Sequence, residues 1–284
     1  MEAQVNENDE IKIGIIGESG LDTPIILNDR KECAVCTPFG KPSDIIIEGS
    51  IENVKCALLS RSGRLHDIMP SNINYRANIW AMRKLGCTHI LVTHTVSSLR
   101  EIINQGDLVV PHDIIDNTTK RAQTFYDGVV GSPFGVCHLP MYPVFCERAR
   151  GHLLKAANEL ELQVHSKGTA ITLEGPRYST IAENNLYRNW GADLISMTLC
   201  PEAALAKEAG ILYASLGFVT NKECWCANQQ IANTHEIIYT FRKQVDKVQK
   251  VLINAIRGIS QEDWAEDILK AKILVCSNFS NRNQ

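Results

Sequence analysis

The sequence predicts a single α/β domain, a mixed central β-sheet flanked by helices, and three observations carry that expectation. Ile11, Ile13, Ile15 and Ile16 form a short β-branched run, the pattern of a strand buried on both faces. Strand-like and helix-like segments then alternate with no linker, internal repeat or shift in composition. Most strand-like runs end in polar turns, at 17–20, 93–98, 174–178, 197–198 and 220–223. Ligands of α/β sheets collect at strand ends, so these turns are where chemistry is expected.

Taken in order, residues 1–10 are polar and read as a frayed tail, leaving 11–275 as the domain. The first strand breaks into Gly17-Glu18-Ser19-Gly20. Glycines let that backbone approach a ligand, and the Ser19 hydroxyl suits an oxyanion. No Gly-Lys-Ser/Thr follows and no G-x-G-x-x-G is present, so neither a Walker loop nor a dinucleotide fingerprint is read here. Asp44–Glu48 and Val54–Ser60 read as strands, and Asn72–Leu85 as a helix with Ile73, Ala77, Trp80, Ala81 and Leu85 at helical spacing, ending at Gly86. Thr88–Thr93 is an apolar strand leading into the turn His94–Ser98; Asp107–Ile115 is another strand, and 116–137 is loop.

Phe145–Leu160 reads as a helix and Gln163–Leu173 as a strand ending in Glu174-Gly175-Pro176-Arg177-Tyr178. Ile181–Asn189 is a helix, Leu194–Met197 a short strand, and Pro201–Gly210 a helix closed by its glycine. Ile211–Val219 is a strand delivering Thr220-Asn221-Lys222. His235–Arg257 is a long amphipathic helix with Ile237, Ile238, Phe241, Val245, Val248, Val251, Leu252 and Ile256 on one stripe.

Formal net charge is −3 over 284 residues with both signs scattered, which gives no nucleic-acid footprint. No apolar run of membrane-spanning length occurs, and the chain starts Met1-Glu2-Ala3-Gln4, so neither a span nor a signal peptide is expected. Ten cysteines then read as reduced thiols of the cytoplasm, with the nucleus as the alternative. Cys33-x-x-Cys36 and Cys224-Trp225-Cys226 would supply four sulfurs, but they stand in different contexts without metal-site flanks, so no metal is expected.

Several of the turns carry recognisable text: Gly17-x-Ser19-Gly20-Leu21, Thr37-Pro38-Phe39-Gly40-Lys41-Pro42-Ser43, Ile68-Met69-Pro70-Ser71, Asn78-Ile79-Trp80-Ala81, Glu174-Gly175-Pro176-Arg177, Trp190-Gly191-Ala192-Asp193 and Met197-Thr198-x-x-Pro201-Glu202. From about residue 11 to about 265 the chain resembles the methylthioadenosine phosphorylase branch of the trimeric purine nucleoside phosphorylases. The resemblance implies phosphate-dependent cleavage of a purine N-glycosidic bond, with phosphate as co-substrate and no metal or organic cofactor. It places phosphate on Ser19, Arg61, Ser62, His94, Thr95 and Thr198, and the sugar on Met197. Arg61 suits the task as a fork of donors matching an oxyanion. Tyr178 stands where the family packs an aromatic on the base, and His138 where a residue reaches a neighbouring subunit's site, which implies a homotrimer.

The chain also departs from its nearest branch. Glu18 replaces a glycine of the phosphate loop, Ser62 replaces a histidine, and His94–Ser98 replaces a small turn containing glycine. Damage to phosphate chemistry would leave a non-catalytic nucleoside binder, which is one competing reading. A second is a methylthioadenosine phosphorylase proper. The base pocket argues against it: the adenine-directed branch has aspartates where Asn221 and Glu223 stand. Asn221 is expected to donate to O6 or N7 of a 6-oxopurine and to accept from a protonated N7. Glu223 is the second residue expected to act on the base, pulled aside by Lys222, itself a base-site residue. Ser179 stands where a base-pairing glutamate would be, so inosine and guanosine are not distinguished. Thr234 replaces an apolar residue and reads equally as a partner of a substrate 5′-OH or as a helix N-cap.

Overall fold

The computed structural model describes residues 10–17, 26–224 and 234–280; the Glu18–Ser19 turn and the N-terminal tail lie outside them. The chain opens with β1 (Lys12–Gly17), β2 (Asn28–Cys33), β3 (Ile46–Ile51) and β4 (Val54–Ser60). Then come α1 (Tyr75–Lys84), β5 (His89–Ser98), β6 (Leu108–Val109), β7 (Asp113–Asn117), β8 (Val136–Cys137) and α2 (Glu147–Glu159). The second half holds β9 (Val164–His165), β10 (Thr169–Leu173), α3 (Ile181–Asn189), β11 (Leu194–Ser196), α4 (Leu199–Glu208), β12 (Leu212–Lys222), α5 (Thr234–Ser260), α6 (Ala265–Ser277) and β13 (Phe279–Ser280).

One mixed sheet runs in the order β2-β3-β4-β1-β5-β11-β10-β7. β5 is its branch point. Its first half pairs in parallel with β1 and its last two residues pair antiparallel with β11. Along its whole length β5 also pairs with β12, which in turn carries β6 and then β9. The expected mixed α/β sheet is therefore present, and β1 is buried on both faces as its sequence requires. Ile13 and Ile15 enter the core beneath α2 and α5, whereas Ile16 enters the opposite core with α1 and α4.

The polar run His94–Ser98 is strand, not the expected turn. Its register with Gly217–Lys222 of β12 holds it extended, a long-range pairing that local polarity does not reveal. Asp107–Ile115 and Gln163–Leu173 each divide into two strands that pair with different partners. β2 and α6 are additional elements: β2 is a largely exposed edge strand rich in charge, and so carries no apolar alternation. Helix ends follow local chemistry. Asn74 caps α1 by accepting from the Ala77 N–H, and Thr180 and Glu183 form a reciprocal capping box on α3.

Candidate active site

The C-terminal ends of β4, β5, β11 and β12 converge on a cavity of about 1050 Å³. Its wall includes Ser62, Thr95, Tyr178, Ser179, Met197, Thr198, Asn221 and Glu223, brought together from five separate stretches of the sequence. A shift of register between Val219 and Asn221 interrupts the β12–β5 pairing. Such a bulge re-aims side chains at a strand end, and Thr220, Asn221 and Glu223 all reach the cavity wall.

Asn221 is oriented by its neighbours. Its Oδ1 accepts from the Ser97 hydroxyl at 3.1 Å and from the Thr220 hydroxyl at 2.8 Å. Two donors on the oxygen leave the amide's N–H side as the part with donating capacity, one hydrogen of which reaches the Lys222 carbonyl at 3.4 Å. Accepting from a ligand through Oδ1, part of the expectation for this residue, is disfavoured because both lone-pair directions are engaged. Glu223 is buried, and Asn184 on α3 donates to its carboxyl at 3.2 Å. Burial raises the Glu223 pKa, and hydrogen bonds with Ser97, Asn184 and Asn221 oppose that rise only in part. The expected pull of Lys222 on Glu223 is corrected: Lys222 donates from Nζ to the Glu101 carbonyl at 2.7 Å and is absent from the cavity wall. The strand's alternation sends the two neighbouring side chains apart.

Ser179 is buried on the same wall with its hydroxyl unpartnered, and its carbonyl accepts from Cys224 Sγ at 3.5 Å. Tyr178 lines the wall and is 38% exposed. Met197 packs beneath the Gly175 turn, so closely that a Cβ on Gly175 would meet its Sδ at 2.5 Å.

Two residues expected on the anion stand behind the wall. Arg61 is buried; Nε and Nη2 meet the two carboxylate oxygens of Glu202 at 2.8 and 3.0 Å, and Nη1 donates to the Thr93 carbonyl at 2.9 Å. Its fork therefore matches a carboxylate of its own chain. The fully buried Glu202 also accepts from the Tyr213 hydroxyl at 2.9 Å. His94 is buried with Nδ1 against the Ser215 hydroxyl at 2.9 Å, and burial together with Arg61 nearby lowers its pKa to about 3. It is neutral and does not line the cavity. His138 is exposed beside β8, its N–H bonded to the Asn278 carbonyl, away from its own chain's cavity. Ser19 and the Thr234 side chain lie outside the described residues; α5 does begin at Thr234.

Sequence reasoning did not single out Ser97, Thr220, Asn184, Glu202 or the Glu174–Arg121 pair. The Glu174 carboxyl is held down to about 2: burial opposes its charge, but hydrogen bonds from Ser71 and the Lys120 and Thr119 N–H groups, with Arg121 alongside, prevail. Arg121 also donates to the Cys200 carbonyl at 2.6 Å and the Leu173 carbonyl at 3.1 Å. That network fastens together the chain at Ser71, Glu174 and Cys200, next to the cavity residues Pro70, Pro176 and Thr198. The text Glu174-Gly175-Pro176-Arg177 and the Glu202 that closes Met197-Thr198-x-x-Pro201-Glu202 were the available signals.

Among the described residues no three His, Cys, Asp or Glu side chains gather as metal ligands, and no helix is long and apolar enough to cross a membrane. Residues 12–257 match the family described as the phosphorylase superfamily. A purine nucleoside phosphorylase of Drosophila pseudoobscura pseudoobscura is 76% identical over 99% of this chain and 98% of its own. An S-methyl-5′-thioadenosine phosphorylase of Drosophila melanogaster is 58% identical, over 94% of this chain and 93% of its own. The methylthioadenosine phosphorylase of Schistosoma mansoni, solved with adenine, superposes with a TM-score of 0.92 at 41% identity, covering 95% of this chain and 99% of that one. The match over most of the chain, together with the shared fold, means that this chain belongs to the phosphorylase superfamily.

Proposed function

We propose that this chain is a purine nucleoside phosphorylase, a pentosyltransferase of purine salvage that cleaves inosine and guanosine with inorganic phosphate to free base and ribose 1-phosphate. The orientation of Asn221 carries the 6-oxopurine reading. With its oxygen held by Ser97 and Thr220, it has N–H to give to O6, an acceptor where an adenine would present a donor. Greater similarity to relatives named purine nucleoside phosphorylase than to those named S-methyl-5′-thioadenosine phosphorylase supports the same choice.

In this reading a phosphate oxygen attacks C1′ while the C1′–N9 electron pair passes to the purine. Glu223, its carboxyl kept protonated to higher pH by burial, gives its proton to N7, and Asn221 holds O6. Tyr178 and Ser179 border the base, Met197 the ribose, and Thr234 the 5′ end. Ser19, Ser62, Thr95 and Thr198 hold the phosphate, with Arg61 and His94 behind them. No metal or organic cofactor takes part.

We propose a homotrimer in which His138 completes a neighbour's site. Exposed apolar side chains close to it in sequence, Val130, Phe134 and Tyr142 among them, support a covered surface. Nine described cysteines without a disulfide fit a reducing, cytoplasmic compartment; recovery of the native protein from a secreted fraction would contradict that. The activity is tested by following loss of inosine, adenosine and methylthioadenosine with and without phosphate. Phosphate-dependent loss of inosine is expected, equal loss in phosphate-free buffer would mean hydrolysis, and a preference for methylthioadenosine would reverse the base assignment.

A further inference from the structure

We infer that Asn184 is a positioning residue for proton transfer, its amide reserved for the carboxylate that Glu223 becomes once its proton has passed to the purine. The inference rests on the reading of Glu223 as the acid. Asn184 stands in α3, where the capping box of Thr180 and Glu183 fixes the entry of the helix and the Asn184 N–H bonds to the Thr180 carbonyl at 2.9 Å. The side chain points inward: it is 0% exposed and does not line the cavity. From behind Glu223, Nδ2 donates to Oε2 at 3.2 Å and reaches Cys224 Sγ, a weak acceptor, at 3.5 Å.

Ser97 and Asn221 also bond to Glu223, but each has another task. Ser97 has one proton, which lies on the Asn221 oxygen, and the Asn221 amide gives N–H to O6 in the proposed reaction. Asn184 has no such second task. Its Oδ1 is buried without a partner among the described residues, so this amide adds little to stability. A donor on Oε2 favours the acidic proton on Oε1. When N7 takes that proton, the Oε1–H bond breaks, N7–H forms and the bonding pair stays on the carboxyl. The contact with Nδ2 thereby becomes charge-assisted, stronger after transfer than before, which is the condition for speeding the step. The charges on the surrounding elements are engaged elsewhere: Lys222 of β12 on the Glu101 carbonyl, Arg100 after β5 on Asp193, and Arg177 before α3 on Glu183. None of these, nor Tyr187 and Arg188 further along α3, nor Cys224, contributes to the shift of the Glu223 pKa, which comes from burial opposed by the three hydrogen bonds.

The test is kcat at saturating inosine and phosphate across about pH 5 to 9, in wild type, Glu223→Gln, Asn184→Leu and the double variant. Leucine keeps the branching of asparagine and removes the donor. Glu223→Gln should cost about 10²–10⁴ in kcat. Asn184→Leu should lower the plateau of kcat by about threefold to tenfold and move its alkaline decline up by about one pH unit, because the carboxylate loses a donor and Glu223 keeps its proton to higher pH. The nucleoside KM should not change. In the Glu223→Gln background, Asn184→Leu should have no further effect on kcat. A decline left at the wild-type pH in folded Asn184→Leu, or the same loss of kcat in both backgrounds, would overturn the inference. A Glu223→Gln enzyme with wild-type kcat would instead remove the acid reading itself. If leucine prevents folding, Asn184→Ala withdraws the same donor and is scored in the same way.

Discussion

The amide of Asn221 and the carboxyl of Glu223 lie two positions apart and share Ser97 as a partner, while Thr220 holds only the amide oxygen and Asn184 only the carboxyl. That difference predicts what exchange at the first position does. In Asn221→Asp the Ser97 and Thr220 hydroxyls would still satisfy one oxygen, and the other would face O6 with like polarity. We expect kcat/KM for inosine to fall by about 10²–10³, the usual cost of one lost donor at developing charge, while adenosine or methylthioadenosine gains relative to inosine. Steady-state comparison of the three nucleosides checks it. At this scale the sequence was readable where the residue type limits the role: an asparagine must donate through its nitrogen. It left the partner of Arg61 open, because the fork that fits an oxyanion equally fits Glu202, 141 positions away in the chain.

Among the elements, the β5–β12 pair sets the cavity, and the turn after β10 closes it. Gly175 in that turn has φ +62° and a Cβ there would stand 2.5 Å from Met197 Sδ. Gly191, with φ +89°, has nothing within 4 Å of the same position. Both Gly175→Ala and Gly191→Ala incur the cost of left-handed backbone, about 1–2 kcal/mol, but only the first displaces a residue of the cavity wall. Gly175→Ala should therefore lose a further ~1–3 kcal/mol to crowding and raise the nucleoside KM, and Gly191→Ala should keep wild-type kinetics. Denaturant melts and initial rates separate the two. Periodicity revealed α1 and α5 because each repeats one pattern against one core, and β1 showed as a β-branched run because it is buried on both faces. It missed His94–Ser98 as strand because Thr95 and Ser97 line the cavity while His94 and Ser98 are polar side chains buried behind it, so the apolar signal of a strand is missing.

For the whole molecule, two core histidines set a pH limit. Burial holds His89 and His94 at about 3 against an ordinary 6.5. As pH falls below 6.5 the unfolded chain takes up their protons and the folded chain does not, so stability present above that pH is lost progressively towards 3. Each histidine costs about 1.4 kcal/mol per pH unit in that window. Glu223 and Glu208, both raised by burial, act in the opposite direction as they protonate. Urea midpoints should therefore drop between pH 6.5 and 5, and a flat profile would mean the histidines are already protonated in the folded state. Assembly gives the other whole-molecule prediction. If His138 serves a neighbour, turnover should vanish on dilution to monomer, and a fully active monomer in sedimentation equilibrium would exclude the shared site.

The sequence by itself determined the α/β class and that the cavity would form at strand ends. Both follow from local chemistry: β-branched runs, helical spacing, and the polar residues that follow them. Only the tertiary structure decided which side chains meet. Sheet pairing placed Ser97 on the Asn221 oxygen beside its sequence neighbour Thr220, Lys222 turned from Glu223 to the Glu101 carbonyl, and Arg61 closed onto Glu202 of α4. Apart from Thr220, those partners come from more than a hundred residues away, where the geometry of the folded chain, and no neighbour in sequence, brings them together.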